Sequence, residues 1–141
     1  MTRQMYETDE TKAKEQKLGE LVGLKWKCEL QKVSYKYKLD CLAMRGDIPM
    51  AWVELRCRTN DMLEYPTYMI SLAKVQGAKR LEEDTGLPAF LVVEWTDQVR
   101  FVNLAQVDWS LGFGGMHDMR DWQDQEPVCF IPIELFQEFK Q

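Results

Sequence analysis

The sequence lacks several features that define whole classes of protein, and each absence argues against one class. No apolar run approaches the roughly 20 residues of a membrane-spanning helix, and no apolar segment follows the first residues, so no secretory signal is predicted. There is one histidine, and the four cysteines stand far apart without a Cys-x-x-Cys pair, which argues against a structural zinc site. We therefore expect a cytoplasmic protein with buried, reduced thiols and no membrane contact.

Charge of both signs is present but is unevenly distributed along the 141 residues. Residues 1–58 contain 12 Lys/Arg and 9 Asp/Glu, residues 59–141 contain 6 and 14, and the net charge is −5. Such a balance argues against a protein that binds polyanions through net charge alone. We expect a polyanionic partner to contact the N-terminal half. In the acidic C-terminal half, Trp109, Phe113 and Trp122 either pack as a flap or form a surface for a protein partner.

Hydrophobic periodicity and turn residues predict alternating helices and strands within one domain over residues 1–141. The predicted elements are a helix over Asp9–Gly23, strands over Lys25–Val33, Tyr35–Met44 and Pro49–Arg58, a helix over Pro66–Thr85, and strands over Ala89–Trp95 and Val99–Leu104. For residues 105–141 the sequence predicts a loop, then a short strand at Phe130–Ile133 and a short helix near Glu134–Lys140. The order indicates an α/β fold, a mixed sheet flanked by helices with an irregular C-terminal extension.

Two carboxylates on neighbouring predicted strands form the main candidate site. Asp40 is on the second predicted strand and Glu54 is on the third, and the turn Arg45-Gly46-Asp47 joins these strands in a hairpin. Both carboxylates can then lie side by side on one face of the sheet, where they repel each other unless a cation neutralises them. Oxygen ligands of this kind suit Mg²⁺ or Mn²⁺. Arg56 points to the same face, where it could bind a phosphate.

These residues resemble the signature of the PD-(D/E)XK nuclease superfamily, which is an Asp, a spacer and Glu-x-Lys on adjacent strands after an opening helix. The chain reads Tyr37-Lys38-Leu39-Asp40, then 13 residues, then Val53-Glu54-Leu55-Arg56. The resemblance covers about residues 9–104 and implies a restriction-endonuclease-like core of order α-β-β-β-α-β. In size the chain is similar to small archaeal Holliday-junction resolvases and to small nuclease-like proteins of tailed phages.

The resemblance implies a metal site made by Asp40, Glu54 and the backbone carbonyl of Leu55. In the family an acid of the opening helix often completes this site. Glu15 is the first choice because its angular position lies on the sheet-facing side of the helix, and Glu10 is the second. The other candidates on this segment are Glu7 and Glu20.

The function that the resemblance implies is a small DNA endonuclease, a phosphodiesterase that uses Mg²⁺ or Mn²⁺ and acts as a homodimer, with a substrate structure that stays open. Asp40, Glu54, Arg56 and Glu15 are its expected catalytic residues. The expected DNA contacts, on the same predicted strand faces, are Lys36, Lys38 and Arg58.

One departure from the family pattern leaves an alternative function open. The family usually has lysine where this chain has Arg56, and an arginine stays protonated and cannot act as a base. Lys74, on the following predicted helix, is an alternative source of the ammonium group. The alternative function is a catalytically inactive binding or interaction protein that keeps the nuclease fold.

Overall fold

The computed structural model describes residues 9–114 and 126–140, in which two helices and nine strands are arranged around two sheets. The elements are α1 (Asp9–Trp26), β1 (Glu29–Lys32), β2 (Cys41–Arg45), β3 (Ile48–Cys57), β4 (Thr67–Ser71), α2 (Leu72–Thr85), β5 (Ala89–Glu94), β6 (Val99–Asn103), β7 (Ser110–Gly114), β8 (Glu126–Pro132) and β9 (Gln137–Glu138). Single 3-10 turns lie at Tyr35–Tyr37, Met62–Glu64 and Ile133–Leu135. Neither helix in this part of the chain is long and apolar enough to cross a membrane.

The larger sheet has the strand order β1-β2-β3-β5-β6-β9, and the smaller one has the order β4-β8-β7. In the larger sheet β3 and β5 are parallel, and the other neighbours are antiparallel. Helix α1 covers one face by packing Leu18 and Val22 in a cluster with Val53, and α2 and the smaller sheet cover the other face, which contains Trp52 and Leu91. The predicted fold class, a mixed sheet flanked by helices, is confirmed.

Helix α1 is longer than its sequence predicts, because Gly23 does not end it. The helix continues to Trp26, whose ring packs at 5.1 Å from Phe90 and 5.3 Å from Phe101. The Arg45 guanidinium then caps the last carbonyls by donating to the Trp26 and Lys27 oxygens at 3.0 and 3.2 Å. Burial of an aromatic ring and a charged cap outweigh the roughly 1 kcal/mol that a glycine costs within a helix.

The second predicted helix is wrong in its first third, because residues 67–71 form a strand. Tyr68 of β4 pairs with Ile131 of β8, a partner more than 60 positions along the chain. Helix α2 starts only at Leu72, where the Ser71 hydroxyl accepts a hydrogen bond from the Lys74 backbone N–H at 3.3 Å. Local periodicity predicts a helix across this boundary, and the long-range ladder decides against it. The predicted stop is confirmed, since Gly86 has a left-handed φ of 74°.

The second predicted strand is also shorter, and this changes the position of its acid. Residues 35–37 form a 3-10 turn, Lys38 has a positive φ of 73°, and β2 begins only at Cys41. The Val33 N–H donates to the Asp40 carbonyl at 3.0 Å and closes this loop. Asp40 therefore lies just before the strand rather than within it.

The C-terminal segment contains more strand than predicted. The short strand predicted at Phe130–Ile133 lies mostly within the longer β8, and the predicted terminal helix is wrong, because a 3-10 turn and the two-residue strand β9 occupy its place. Phe139 follows β9 and packs at 5.1 Å from Trp26. The chain end is therefore tied to α1 by aromatic packing rather than forming a helical cap.

Candidate active site

An opening in the larger sheet, where β2 and β3 separate, brings Asp40 to the backbone of Leu55. The registered pairing of these strands ends at Cys41 and Val53. Two residues further along β3, the Leu55 N–H donates to Asp40 Oδ2 at 3.0 Å instead of to a strand partner. Because the N–H and C=O of one strand residue point to the same side, the Leu55 carbonyl faces this opening as well.

Glu54 lies on the face of β3 that α2 covers, and its carboxylate is fully buried. Its Oε2 accepts a hydrogen bond from Arg56 Nε at 2.8 Å and forms an ion pair with Arg56 Nη2 at 2.5 Å. Its Oε1 lies 3.3 Å from Lys74 Nζ. The same ammonium group donates to the backbone carbonyl of Lys38. One buried carboxylate is thus held between two cations from different elements.

The electrostatics of this cluster follow from burial and from these pairings. Burial raises the pKa of Glu54; Arg56 and Lys74 oppose that rise, and the charge of Asp40 adds to it. Burial lowers the pKa of Arg56, but the charges of Glu54, Tyr68 and Asp40 and the hydrogen bond to Glu54 together outweigh burial, so that the pKa of Arg56 is raised and it stays protonated. Removing one member would leave a buried charge without compensation, which costs far more than an exposed ion pair contributes.

The structure brings together five of the residues singled out in the sequence, although not by the route that strand alternation predicts. They are Asp40, Glu54, Leu55, Arg56 and Lys74. The alternation argument for Asp40 is wrong, because this residue precedes β2 and reaches the edge of β3 through the Leu55 N–H. Glu54 and Arg56 do share one face of β3, as their two-residue spacing predicts.

Glu15 lies on the other side of the sheet, in a groove of about 900 Å³ between α1 and the strands β1 and β2. Asp40, Cys41 and Leu55 line the same groove, and Glu15 is half-buried there. Glu20 is exposed and also lines the groove, whereas Glu10 is exposed and pairs with Lys14 at 3.7 Å. Glu7 lies outside the described residues.

The three predicted DNA contacts are exposed, but the prediction that they lie on strand faces is wrong. Lys36 lies in the 3-10 turn, and Lys38 follows it in the loop before Asp40. Arg58 follows the end of β3, and its Nη2 donates to the hydroxyl of Tyr68 at 2.7 Å. The turn before β2, and not the alternation of side chains along a strand, therefore places the two lysines at the α2 side of the opening.

The donor set of the opening fits a hard divalent cation in kind. Asp40, half-buried, has one carboxylate oxygen engaged by Leu55, and no bond from the described residues reaches its other oxygen. The Leu55 carbonyl faces the same space. No three His, Cys, Asp or Glu side chains converge as a metal cage within residues 9–114 and 126–140. Mg²⁺ does not require such a cage, because it is usually held by one or two carboxylates, waters and substrate phosphates.

Two features of the site were not predicted in their observed form. Lys74 was the alternative to Arg56 as the residue that replaces the motif lysine. The sequence feature that locates it is Ser71, which caps α2 and so places Lys74 in the first turn of this helix. Tyr37, which carries no predicted role in the site, is 41% exposed and lies next to Lys36 and Lys38 in the chain. No periodic pattern finds it, because a 3-10 turn interrupts the strand.

Comparisons with known proteins relate the chain as a whole to a fold and to a family. A solved structure of Hjc, a Holliday junction resolvase from the archaeal hyperthermophile Archaeoglobus fulgidus, superposes with a TM-score of 0.56 at 15% sequence identity, covering 84% of this chain and 85% of that chain. At this identity the likeness shows the fold alone. No curated protein matches the sequence. The model of a family described as "Phage putative PDDEXK endonuclease" matches residues 1–139. The chain therefore belongs to this family of PDDEXK endonucleases.

Proposed function

We propose that the protein is a divalent-metal-dependent endonuclease that hydrolyses DNA at the opening between β2 and β3. The observation that carries this proposal is the convergence of Asp40, the Leu55 backbone, Glu54 and Lys74 at this opening. Endonuclease family membership over nearly the whole chain supports the reaction class. DNA as the substrate is supported by the excess of Lys/Arg in residues 1–58 and by analogy with the resolvase.

Asp40, Glu54 and the Leu55 carbonyl would hold Mg²⁺ or Mn²⁺. When bound, this ion supplies charge neutralisation for the phosphate and a more acidic water. In the reaction a water oxygen forms a new bond to phosphorus while the bond to the leaving oxygen breaks. The leaving oxygen takes a proton, and the products are a phosphate monoester and a hydroxyl. Glu15, across the groove from Asp40, is a further candidate for orienting water on that side.

Lys74 takes the place of the motif lysine in this proposal. A compact ammonium on a flexible stem can hold a water molecule beside Glu54, and the bond to the Lys38 carbonyl fixes its direction. The element that carries it differs from the family pattern, in which the lysine follows the Glu by two residues on the same strand. In this chain the ammonium lies 3.3 Å from the Glu54 carboxylate.

Arg56 acts as the second cation, with the role of neutralising phosphate charge. Its Nε and Nη2 both bind Glu54, and 23% of its side chain is exposed, so that part of the fork is accessible from solvent. A guanidinium is suited to phosphate because it presents several donors in a fixed plane. It cannot act as a base, which leaves water orientation to Lys74.

A second candidate function is a nuclease fold that binds nucleic acid without cleaving it. The observation that favours it is the engagement of both Glu54 oxygens by Arg56 and Lys74. A metal ion would have to share this carboxylate with two cations, or displace one of them. If Arg56 and Lys74 hold Glu54 too strongly for a metal ion to bind it, the protein binds DNA without hydrolysing it.

A cleavage screen over linear, nicked, flapped and four-way-junction DNA, with Mg²⁺ or Mn²⁺ and with EDTA, separates the two functions. Metal-dependent product on any substrate supports the endonuclease. DNA binding without product on all of them, at any metal concentration, overturns it in favour of the binding protein. Asp40→Asn is the matched inactive control, because it replaces one carboxylate oxygen by nitrogen and keeps the shape of the side chain.

The role of Lys74 is tested by Lys74→Met, which keeps most of the side-chain volume and removes the charge. Lys79→Met is the control, because Lys79 is an exposed lysine on the same helix. We expect Lys74→Met to lower kcat at least about 100-fold, the lower end of the usual contribution of acid–base groups, and Lys79→Met to leave it within about twofold. Equal activity of the two variants would show that Lys74 has no catalytic role.

Homodimerisation and a protein partner for the acidic C-terminal half remain proposals. The support for a partner surface is Phe113 of β7, which is 65% exposed on an edge strand of the smaller sheet. Trp109 is less accessible, since Lys79 lies over its ring at 5.7 Å, and Trp122 lies outside the described residues. Sedimentation of the free protein and of its DNA complex would determine the oligomeric state.

A further inference from the structure

Tyr37 is an exposed aromatic ring immediately before the proposed site. It ends the 3-10 turn Tyr35–Tyr37, and Asp40 follows three residues later. Although 41% of Tyr37 is exposed, its ring stacks on Trp52, with centroids 5.8 Å apart and planes inclined by 28°. A large apolar ring at the surface next to a reaction centre is a candidate contact for a ligand that has a flat face of its own.

The ring is held in place before any ligand arrives. Trp52, which supports it from beneath, is 7% exposed, and its indole N–H donates to the Thr85 hydroxyl at 3.1 Å. Since the support is fixed by packing and by a hydrogen bond, little conformational entropy would be lost when a ligand stacks on Tyr37.

The residue that supports this ring lies on the strand that carries Glu54. Trp52 and Glu54 are two residues apart on the same face of β3, which separates their Cα atoms by about 7 Å. A base that stacks on Tyr37 would therefore lie on the same face of the sheet as the Glu54 carboxylate.

The charges around Tyr37 suit a nucleotide more than an apolar ligand. Lys36 and Lys38 flank it and are both exposed, and Lys36 Nζ lies over the ring, 5.3 Å from its centre, so that a stacking base would take the place of this exposed ammonium group. An aromatic ring beside basic side chains is the usual arrangement for a single strand, in which bases stack on the ring and phosphates meet the cations. Within an intact duplex the bases are already paired and stacked, so only an unpaired or terminal base can use the ring.

We propose that Tyr37 stacks with an unpaired base near the scissile phosphate, and that the substrate class is DNA with unpaired nucleotides beside a duplex. This inference rests on the proposed DNA cleavage and adds its specificity. It explains why the turn exposes a ring supported by Trp52 rather than burying it. It also assigns Lys36 and Lys38 to the phosphates on either side of that base.

The test is equilibrium binding of the full chain to forked DNA and to the matching continuous duplex, in EDTA so that no cleavage occurs. The fork carries 2-aminopurine at the first, second or third unpaired position. We expect quenching on wild-type binding at one of these positions, and its loss in Tyr37→Ala. The affinity of this variant for the fork should fall about 5- to 150-fold, while its affinity for the duplex should change less than twofold.

Three further variants separate stacking from general packing. Tyr37→Phe keeps the ring and should bind the fork like the wild type, and Tyr37→Leu, which still covers Trp52 but cannot stack, should behave like Tyr37→Ala. Tyr65→Ala is the matched control, since Tyr65 is also exposed, at 58%, and follows a different 3-10 turn, Met62–Glu64. Wild-type fork affinity in Tyr37→Leu, or equal losses on fork and duplex, would overturn the inference.

Binding and cleavage fail independently in this design. A wild-type chain that quenches 2-aminopurine but cleaves nothing with Mg²⁺ or Mn²⁺ overturns the proposed function and keeps the stacking site. A chain that cleaves forked DNA at the same rate with or without the Tyr37 ring overturns the stacking site and keeps the proposed function.

Discussion

Replacing Asp40 by Asn and by Ala separates the charge of this residue from its structural hydrogen bond. Asp40 Oδ2 accepts from the N–H of Leu55, which is only 5% exposed. In Asp40→Ala this N–H loses its acceptor, at a cost of about 1–3 kcal/mol. In Asp40→Asn the amide oxygen can accept the same bond. The loss of charge assistance, about 1 kcal/mol, is opposed by the relief of repulsion with Glu54, whose pKa the charge of Asp40 helps to raise.

We therefore expect Asp40→Asn to unfold within about 1 kcal/mol of the wild type and Asp40→Ala to be clearly less stable. For a chain of this size, 1 kcal/mol corresponds to about 2–4 °C in Tm, which thermal unfolding followed by circular dichroism resolves. Both variants should lose metal-dependent cleavage, and both should lose the rise in Tm that saturating Mn²⁺ gives the wild type.

Two results would refute this reasoning. If Asp40→Asn is as unstable as Asp40→Ala, the charge itself is structural, and Asp40 belongs to an ion-pair network rather than to a metal site. If Asp40→Asn cleaves DNA at the wild-type rate, Asp40 does not bind the catalytic metal, whatever its effect on stability.

Three further predictions concern the neighbours of this site. Arg56→Met should destabilise the protein by about 3 kcal/mol at neutral pH, because it leaves the buried Glu54 with one cation. This loss of stability should shrink on acidification. Because burial raises the pKa of Glu54 above its ordinary value, the folded state binds the proton more tightly than the unfolded state. Stability therefore falls as the pH rises from the ordinary pKa of Glu54 to its raised pKa in the folded state. Gly77→Ala should lower both Tm and kcat, because a Cβ there would lie 2.7 Å from the Lys38 Cβ and would displace the loop that precedes Asp40. Lys36→Ala combined with Lys38→Ala should reduce the salt slope of log Kd by up to about two, since each phosphate contact contributes about 0.9.

Each of these has a matched control and a contrary outcome. Arg56→Lys keeps a cation beside Glu54 and should retain or raise cleavage, so a collapse of activity would show that the guanidinium fork is required. Gln76→Ala, at an exposed position of the same helix, should leave Tm unchanged. The double lysine variant should leave base preference unchanged, and a wild-type salt slope would remove this surface from the DNA interface.

The sequence by itself determines the elements whose signals are local. The apolar run of β5 predicts a strand covered on both faces, and Val92 and Val93 are both fully buried. Gly86 predicts the end of α2 because a left-handed residue without a Cβ closes a helix. The alternation in β3 places Glu54 and Arg56 on one face. The motif of Asp40 and Glu54-x-Arg56, with this element order, is sufficient for the family resemblance.

Tertiary structure decides what depends on partners far away in the chain. Residues 67–71 have the periodicity of a helix but become a strand, because β8 offers a ladder and a buried face. Asp40 leaves its predicted strand because Lys38 adopts a positive φ and the loop closes onto Val33. Lys74 reaches Glu54 only because α2 packs over β3, and a one-dimensional pattern contains no term for the distance between a helix and a strand 20 positions apart. The acids of the site are readable from the sequence, whereas the cations that hold Glu54 in place, and the ring that stands exposed beside them, exist as a site only in the folded chain.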